Sequence, residues 1–329
     1  MMRGLLLAVA ALIVLLAIFP AAIAPYDPQS RNTDYLRGAP TEPRFNFSDG
    51  FYVEGRVTQR NPTTLRLETT VDPATRWQIV FLVADPAAPY GFRLFGVEEG
   101  FVHFFGTDDL GRDLFSRVIH AIPVSFGIAL VGALLTVVFG FVTAIVSLRF
   151  GGRATAIFVR TAEAIRSVPS IPIWIGLAAA LPQDWSSTTR YAVLVLLFSL
   201  ISWPHSFARL RSLLEPLVQE PRYIYYVRRD LPTTLVRSAR YFGPLLGSFF
   251  AVEFIIQVPY LVIAETTLSF LGFGVAEPDL TFGVLFSKIR SLDSLIETPW
   301  YFLPIVAFCG CIMILFALAD LVSREERLG

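Results

Sequence analysis

Residues 123–148 read PVSFGIALVGALLTVVFGFVTAIVSL. No charge interrupts the run, and about twenty such residues in a helix are enough to cross the roughly 30 Å hydrocarbon core of a bilayer. The stretch therefore places the chain in a membrane, and the whole composition agrees. Of 329 residues, 54% are hydrophobic and 16% charged, with mean hydropathy +0.58, whereas an ordinary soluble domain is about a quarter charged. Formal net charge is zero and the pI is near 6.8. No global field points to a nucleic-acid partner, and charge is informative only in its distribution between loops.

Five further apolar passages flank this run. Gly4 to Ile23 has no charge and is read as a retained first span, since it exceeds a signal-peptide core and Pro25 would follow the cleavage point. Ala154 to Leu181 carries Arg160, Glu163 and Arg166 in its first half and Pro169 and Pro172 in its middle, which predicts a kinked helix. Tyr191 to Ala208, Tyr241 to Ala264 and Tyr301 to Leu321 complete six crossings. The short loops give the orientation. Arg3, Arg149, Arg153, Arg324 and Arg327 fall on one side together with seven arginines between Arg209 and Pro244, while the other side holds Arg190, Lys288 and Arg290. The arginine-rich side is cytoplasmic, and both termini with it.

The fold class expected is thus an all-α membrane protein of six transmembrane helices with a small β-rich external insert after the first. Its parts are a first helix over 1–24, the insert over 25–105, an interfacial helix over 106–122, and a five-helix core over 123–329 that contains a cytoplasmic loop at 209–240. In the insert, Asn61-Pro62 reads as a turn between strands at Tyr52 to Gln59 and Thr63 to Val71, and residues 77–83 alternate as a strand does. In the interfacial segment Thr107 is placed as N-cap, with Arg112 and Arg117 pairing Asp109 and Asp113 at helical spacing.

Chemistry-bearing residues are few. Within the loop, Glu220-Pro221-Arg222-Tyr223-Ile224-Tyr225-Tyr226-Val227-Arg228-Arg229-Asp230 opens on a helix-starting proline, and Pro232 is read as the stop. A helix of roughly ten residues is not stable alone in water and needs a surface to dock on. Glu253 falls inside a span, where a carboxylate costs about 2.5 to 3.5 kcal/mol; with Gln257 it either lines a polar path or forms an interhelical pair. Glu265 ends the same helix, and Gly272 and Gly274 follow it as a turn or external gate. His205 beside Pro204 reads as a helix-bend residue. Cys309 and Cys311 lie on different faces of one helix and read as packing. No nucleophile set, metal-ligand cluster or phosphate-binding glycine loop is present, so no catalytic residue and no metal site is assigned.

Three stretches resemble the inner-membrane permease subunit of bacterial ABC importers of the dipeptide and oligopeptide type. Gly106-Thr-Asp-Asp-Leu-Gly-Arg-Asp-Leu-Phe-Ser-Arg117 resembles the segment before the family's second span, and Ile263-Ala-Glu-Thr-Thr-Leu-Ser-Phe-Leu-Gly-Phe-Gly274 resembles its loop after the fifth. Tyr223 to Pro244 fits the cytoplasmic coupling motif without a gap, with Arg228, Leu235, Arg240 and Pro244 at matching places. It departs where the family carries Glu-Ala-Ala and then Gly; here stand Tyr225-Tyr226-Val227 and Leu231. The resemblance runs from about Gly106 onward.

That resemblance implies a multi-pass permease of the bacterial inner membrane forming half of a translocation path with a homologous permease. Two ATP-binding subunits would dock on Glu220, Arg222, Tyr223, Tyr225, Tyr226, Arg228, Arg229 and Asp230, and a periplasmic solute-binding protein would deliver peptides. ATP and Mg would bind the partner ATPases, with no cofactor held by this chain and no enzymatic step on it. Related permeases also carry nickel chelates and opines. A proton-coupled secondary transporter working through Glu253 is one competing class, and a membrane enzyme or structural scaffold, disfavoured by the absence of a catalytic set, is the other.

Overall fold

The computed structural model describes residues 2–48, 50–60, 62, 67–86, 88–97, 99–150, 152–182, 184–218, 231–289, 296 and 298–328. The chain forms two compact units, residues 1–126 with 269–313 and residues 127–268 with 314–329.

The first unit opens with α1 (Met2–Ile18) and α2 (Pro20–Ile23). The single crossing expected from Gly4 to Ile23 is therefore broken. A proline disfavours helical geometry in the residue before it, and Phe19 leaves the helix at φ −120° and ψ 47° so that Pro20 can start the next turn. Four strands follow in one antiparallel meander: β1 (Pro43–Asn46), β2 (Gly50–Arg60), β3 (Leu67–Ala84) and β4 (Phe92–Val97). The β2–β3 register closes at Arg60 opposite Leu67; of the expected turn, Asn61 and residues 63–66 lie outside the described residues. Residues 67–71 of the expected Thr63 to Val71 strand and the 77–83 run belong to one long strand instead of two. Beyond the sheet, Tyr35 and Phe101 each stack on His103 and meet one another at a tilt, with Tyr35 fully buried.

Helix α3 (Leu114–Phe150) begins in this unit and continues into the second. The interfacial helix expected from Thr107 starts seven residues later, at Leu114. The reason is a better cap: Asp113 Oδ2 accepts the Ser116 amide at 2.7 Å, the N-cap to N3 bond that opens a helix. Thr107 is occupied elsewhere, taking the Gly38 amide at 2.8 Å and donating to the Tyr35 carbonyl.

The second unit holds α4 (Gly152–Ser167), α5 (Ser170–Ala179), α6 (Ser187–Val218) and α7 (Leu231–Phe270), which ends just inside the first unit. The kinked helix expected from Ala154 to Leu181 is two helices, parted at Val168-Pro169 for the same pre-proline reason. Pro232 sits in the first turn of α7, where its missing N–H costs nothing; the helix it was expected to stop lies outside the described residues. Ala144, Ala162, Trp203, Phe207, Leu210 and Leu214 form the core. At Gly140 of α3 a Cβ would lie 2.5 Å from the Ser206 Cβ, so the two backbones approach closely only because no side chain stands there. The chain finishes with α8 (Phe282–Phe286), a 3₁₀ turn (Pro299–Phe302) and α9 (Leu303–Leu328).

Among the described residues, four stretches are long and apolar enough to cross a membrane: Leu114–Leu148, Ser187–Pro216, Leu246–Phe270 and Pro299–Ser323. Ala8–Ile18 and Ser170–Ala179 are apolar but shorter.

Candidate functional site

Two polar clusters carry the charges that the sequence set among apolar neighbours. The first is built by the loop from Gly106 to Asp113. Gly111 has φ +75°, and a Cβ there would lie 2.0 Å from the Asn32 carbonyl oxygen, so only glycine lets residues 32 and 111 meet through the Asn32 amide. Asp108 then organises the turn: its Oδ1 accepts the amides of Leu110 and Arg112 at 2.9 and 3.0 Å, and its Oδ2 accepts Arg112 Nε at 2.8 Å. Asp113 Oδ1 meets His103 Nδ1 at 2.9 Å, both groups buried. Asp109 takes Arg37 at 2.6 Å and the Tyr301 hydroxyl at 3.2 Å.

These partners differ from the expected ones. Arg112 and Arg117 do not pair with Asp109 and Asp113, because residues 106–113 are not helical and helical spacing does not apply. Both guanidiniums instead reach Glu277, donating to its Oε1 at 3.0 and 3.1 Å, and Arg117 Nε lies 4.0 Å from Asp108 Oδ2. Lys288 Nζ approaches the same Oε1 at 3.7 Å. Burial pushes the Glu277 carboxyl up, but the bond and charge of Arg112 and the charges of Lys288 and Arg117 outweigh it and hold it below the usual carboxylate range. Burial likewise pulls the Arg112 guanidinium down, and the bonds and charges of Glu277 and Asp108 more than restore it, leaving it raised. Glu277 was not singled out from the sequence. Local spacing offers both arginines carboxylates within their own stretch, so no signal in the sequence points to it.

Glu277 belongs to the turn that follows α7. Gly272 takes φ +86° and its amide reaches the Ser269 carbonyl at 3.1 Å. At Gly274 a Cβ would lie 2.4 Å from the Ser269 hydroxyl oxygen, which accepts the Val275 amide at 2.9 Å. Glu265, on the preceding helix, is buried, with the Thr266 hydroxyl 3.5 Å from its Oε2.

The second cluster joins α6 to α7. Glu253 is 1% exposed. Its Oε1 accepts Ser206 Oγ at 2.9 Å and Gln257 Nε2 at 3.0 Å, and its Oε2 accepts Arg209 Nη1 at 3.0 Å. Gln257 also reaches Ser206 at 3.3 Å. The structure thus brings Glu253 and Gln257 together, one turn apart on α7, and adds Ser206 and Arg209, one turn apart on α6. The pair is lopsided: the Glu253 side chain is 2% exposed and that of Arg209 48%. Glu220, Arg222, Tyr223, Tyr225, Tyr226, Arg228, Arg229 and Asp230 lie outside the described residues. Among those that are described, no group of three or more His, Cys, Asp or Glu side chains is arranged to hold a metal ion.

No family model matches the chain. Individual relatives do. A putative peptide transport system permease protein of Brucella suis is 30% identical over 220 residues, which is 67% of this chain and 70% of the relative.

This chain belongs to the peptide transport permeases.

A dipeptide transport system permease protein of Lactococcus lactis is 26% identical over 258 residues, covering 76% of this chain and 73% of its own length. A second Brucella suis protein, a putative peptide permease, is 29% identical over 218 residues, 66% of this chain and 68% of that one. With four stretches of membrane-crossing length and apolarity, this peptide permease is a multi-pass membrane protein of the ABC-transporter class.

Proposed function

We propose that this permease is one half of an ATP-driven importer of peptides. It crosses the bacterial inner membrane six times with both termini in the cytoplasm, the shorter apolar helices contributing the two crossings beyond the four long ones. The β-rich insert lies outside. A homologous permease supplies the other half of the path, and a periplasmic solute-binding protein delivers di- or oligopeptides to the outer face. Two ATP-binding subunits dock on the arginine-rich segment within 209–240, and their nucleotide cycle moves that segment to switch the path between outward-facing and inward-facing states. The chain itself carries out no covalent step.

The observation that supports this reading is the match to proteins named as peptide permeases across about two thirds of both sequences. The arginines between Arg209 and Pro244 support the orientation. The arrangement around Glu253 weighs against a proton-coupled carrier, because both carboxylate oxygens already hold donors from Ser206, Gln257 and Arg209. The decisive experiment is uptake of a labelled dipeptide by proteoliposomes containing the permease with the subunits that copurify with it. Uptake is expected to require ATP on the cytoplasmic side and to survive collapse of the proton gradient. Uptake driven by a proton gradient in ATP-free vesicles would overturn the reading. Tyr226→Ala combined with Arg229→Glu is expected to uncouple ATP hydrolysis from uptake; full coupling in that variant would remove the docking role of the segment.

A further inference from the structure

The turn after α7 and helix α8 enclose a cleft of about 130 Å³ whose lining includes Ser269, Val275, Ala276, Glu277, Ser287 and Lys288. Its charges do not balance. Arg112, Arg117 and Lys288 share two carboxylates, Asp108 and Glu277, and all three cations converge on one oxygen, Glu277 Oε1. Arg112 and Arg117 are fixed, with side chains 2% and 1% exposed and contacts near 3 Å. Lys288 is the loose member, 37% exposed and 3.7 Å away, and this is its one ion pair among the described residues. Among the described residues these ion pairs set three cations against two carboxylates, and the loosest cation sits at the rim of the cleft on a group with three donors to give.

We infer that this cleft binds a carboxylate and that Lys288 receives it. On the reading of the chain as a peptide permease, on which this inference rests, the ligand is the C-terminal carboxylate of a peptide. A single excess positive charge suits a monoanion. A phosphate dianion would overcompensate it and would face Glu277 and Asp108 across the same cluster. The space is about ten times that needed to hold one water, enough for a carboxylate and the small residue that bears it. Val275, Ala276 and Val284 offer an aliphatic wall to that residue; the Ser287 hydroxyl beside the lysine already donates to the Val284 carbonyl at 2.8 Å. Glu277, held by two buried arginines, is a positioning residue that keeps the ammonium at the rim.

Lys288 is the only lysine in the sequence, which makes the test direct. Full-length permease grown with lysine labelled at Cε and Nζ, in phosphatidylcholine nanodiscs, gives one lysine side-chain resonance. Titration with Ala-Ala is expected to shift it saturably, and Ala-Ala amide, acetate and inorganic phosphate at the same concentrations to leave it in place. Equilibrium binding of radiolabelled Ala-Ala is expected to weaken about tenfold in Lys288→Gln and to be retained in Lys288→Arg, tenfold being the loss of one charge-assisted bond. Lys288 lies at the surface, so both variants are expected to fold. Equal shifts with the amide, acetate or phosphate would overturn the inference. So would unchanged binding in Lys288→Gln, or a resonance that moves with added phosphatidylglycerol and no further with peptide. The two readings fail separately: ATP-driven uptake with an unmoved lysine removes the site alone, and a lysine that responds to Ala-Ala without ATP-dependent uptake removes the importer reading and leaves the site.

Discussion

Replacing Arg209 by Met tests whether Glu253 is a structural tie between α6 and α7. The substitution keeps an unbranched apolar stem of similar stiffness but deletes the guanidinium and its charge, leaving a carboxylate that is 1% exposed with nothing on Oε2. Breaking a buried pair by removing one partner costs about 3–5 kcal/mol, because the charge left behind is both desolvated and uncompensated. The reverse change is gentler. Glu253→Gln keeps an oxygen for Ser206 and Gln257, and Arg209, half exposed already, turns to the aqueous side at a cost of about 1 kcal/mol. The double variant is expected to match Glu253→Gln alone, since no charge then remains to be stranded, and this non-additivity is the signature of a coupled pair. Thermal unfolding of the purified protein in one detergent reads all three. At about 2 °C per kcal/mol, Arg209→Met should lower Tm by about 6–10 °C and the other two by about 2 °C. If Glu253→Gln were as damaging as Arg209→Met, or if the two effects added, the tie would not be what holds these helices. Glu253 would then be available to line the path.

Three further outcomes follow from the geometry. Gly111→Ala places a Cβ 2.0 Å from the Asn32 carbonyl oxygen at a positive φ; it is expected to cost more than about 2 kcal/mol and to expose the 106–113 loop to limited proteolysis. Gly140→Val drives a branched side chain into Ser206 and Phe207 and is expected to separate α3 from α6, weakening a disulfide engineered between their neighbouring turns. Because the Glu277 carboxyl is held below its ordinary value of 4.5, its contribution is complete above that value and is lost as pH falls through the depressed one. Tm of the wild type should therefore drop more steeply than that of Glu277→Gln between pH 5 and 3, and equal slopes would show that the carboxylate is not held by its cations.

Much of the fold was legible because its signals are local. A charge-free run such as 123–148 has one stable solution in lipid, and Pro169 disfavours helical geometry in the residue before it. The sequence predicts a kink near Pro169 and the structure has a separation there, since a kink and a break differ only in whether neighbouring helices restore the backbone bonds; the break at Pro20 falls in a run read as one span. The loop at 106–117 shows where local reading fails. Its acids and arginines sit at helical spacing, but Asp113 caps the helix better than Thr107 does, and once the first turn is lost the spacing carries no information about partners. Cys309 and Cys311, two residues apart on α9, are free thiols.

The sequence by itself determined that this protein lives in a membrane, roughly where its apolar helices run, and to which family it belongs, because hydropathy and short motifs are properties of contiguous residues. Only the tertiary structure decided which charges meet. Arg209 finds Glu253 across 44 positions, and Arg112 and Arg117 find Glu277 across 165 and 160. An apolar surrounding requires each charge to find a counter-charge but does not say which, and chain folding makes that choice.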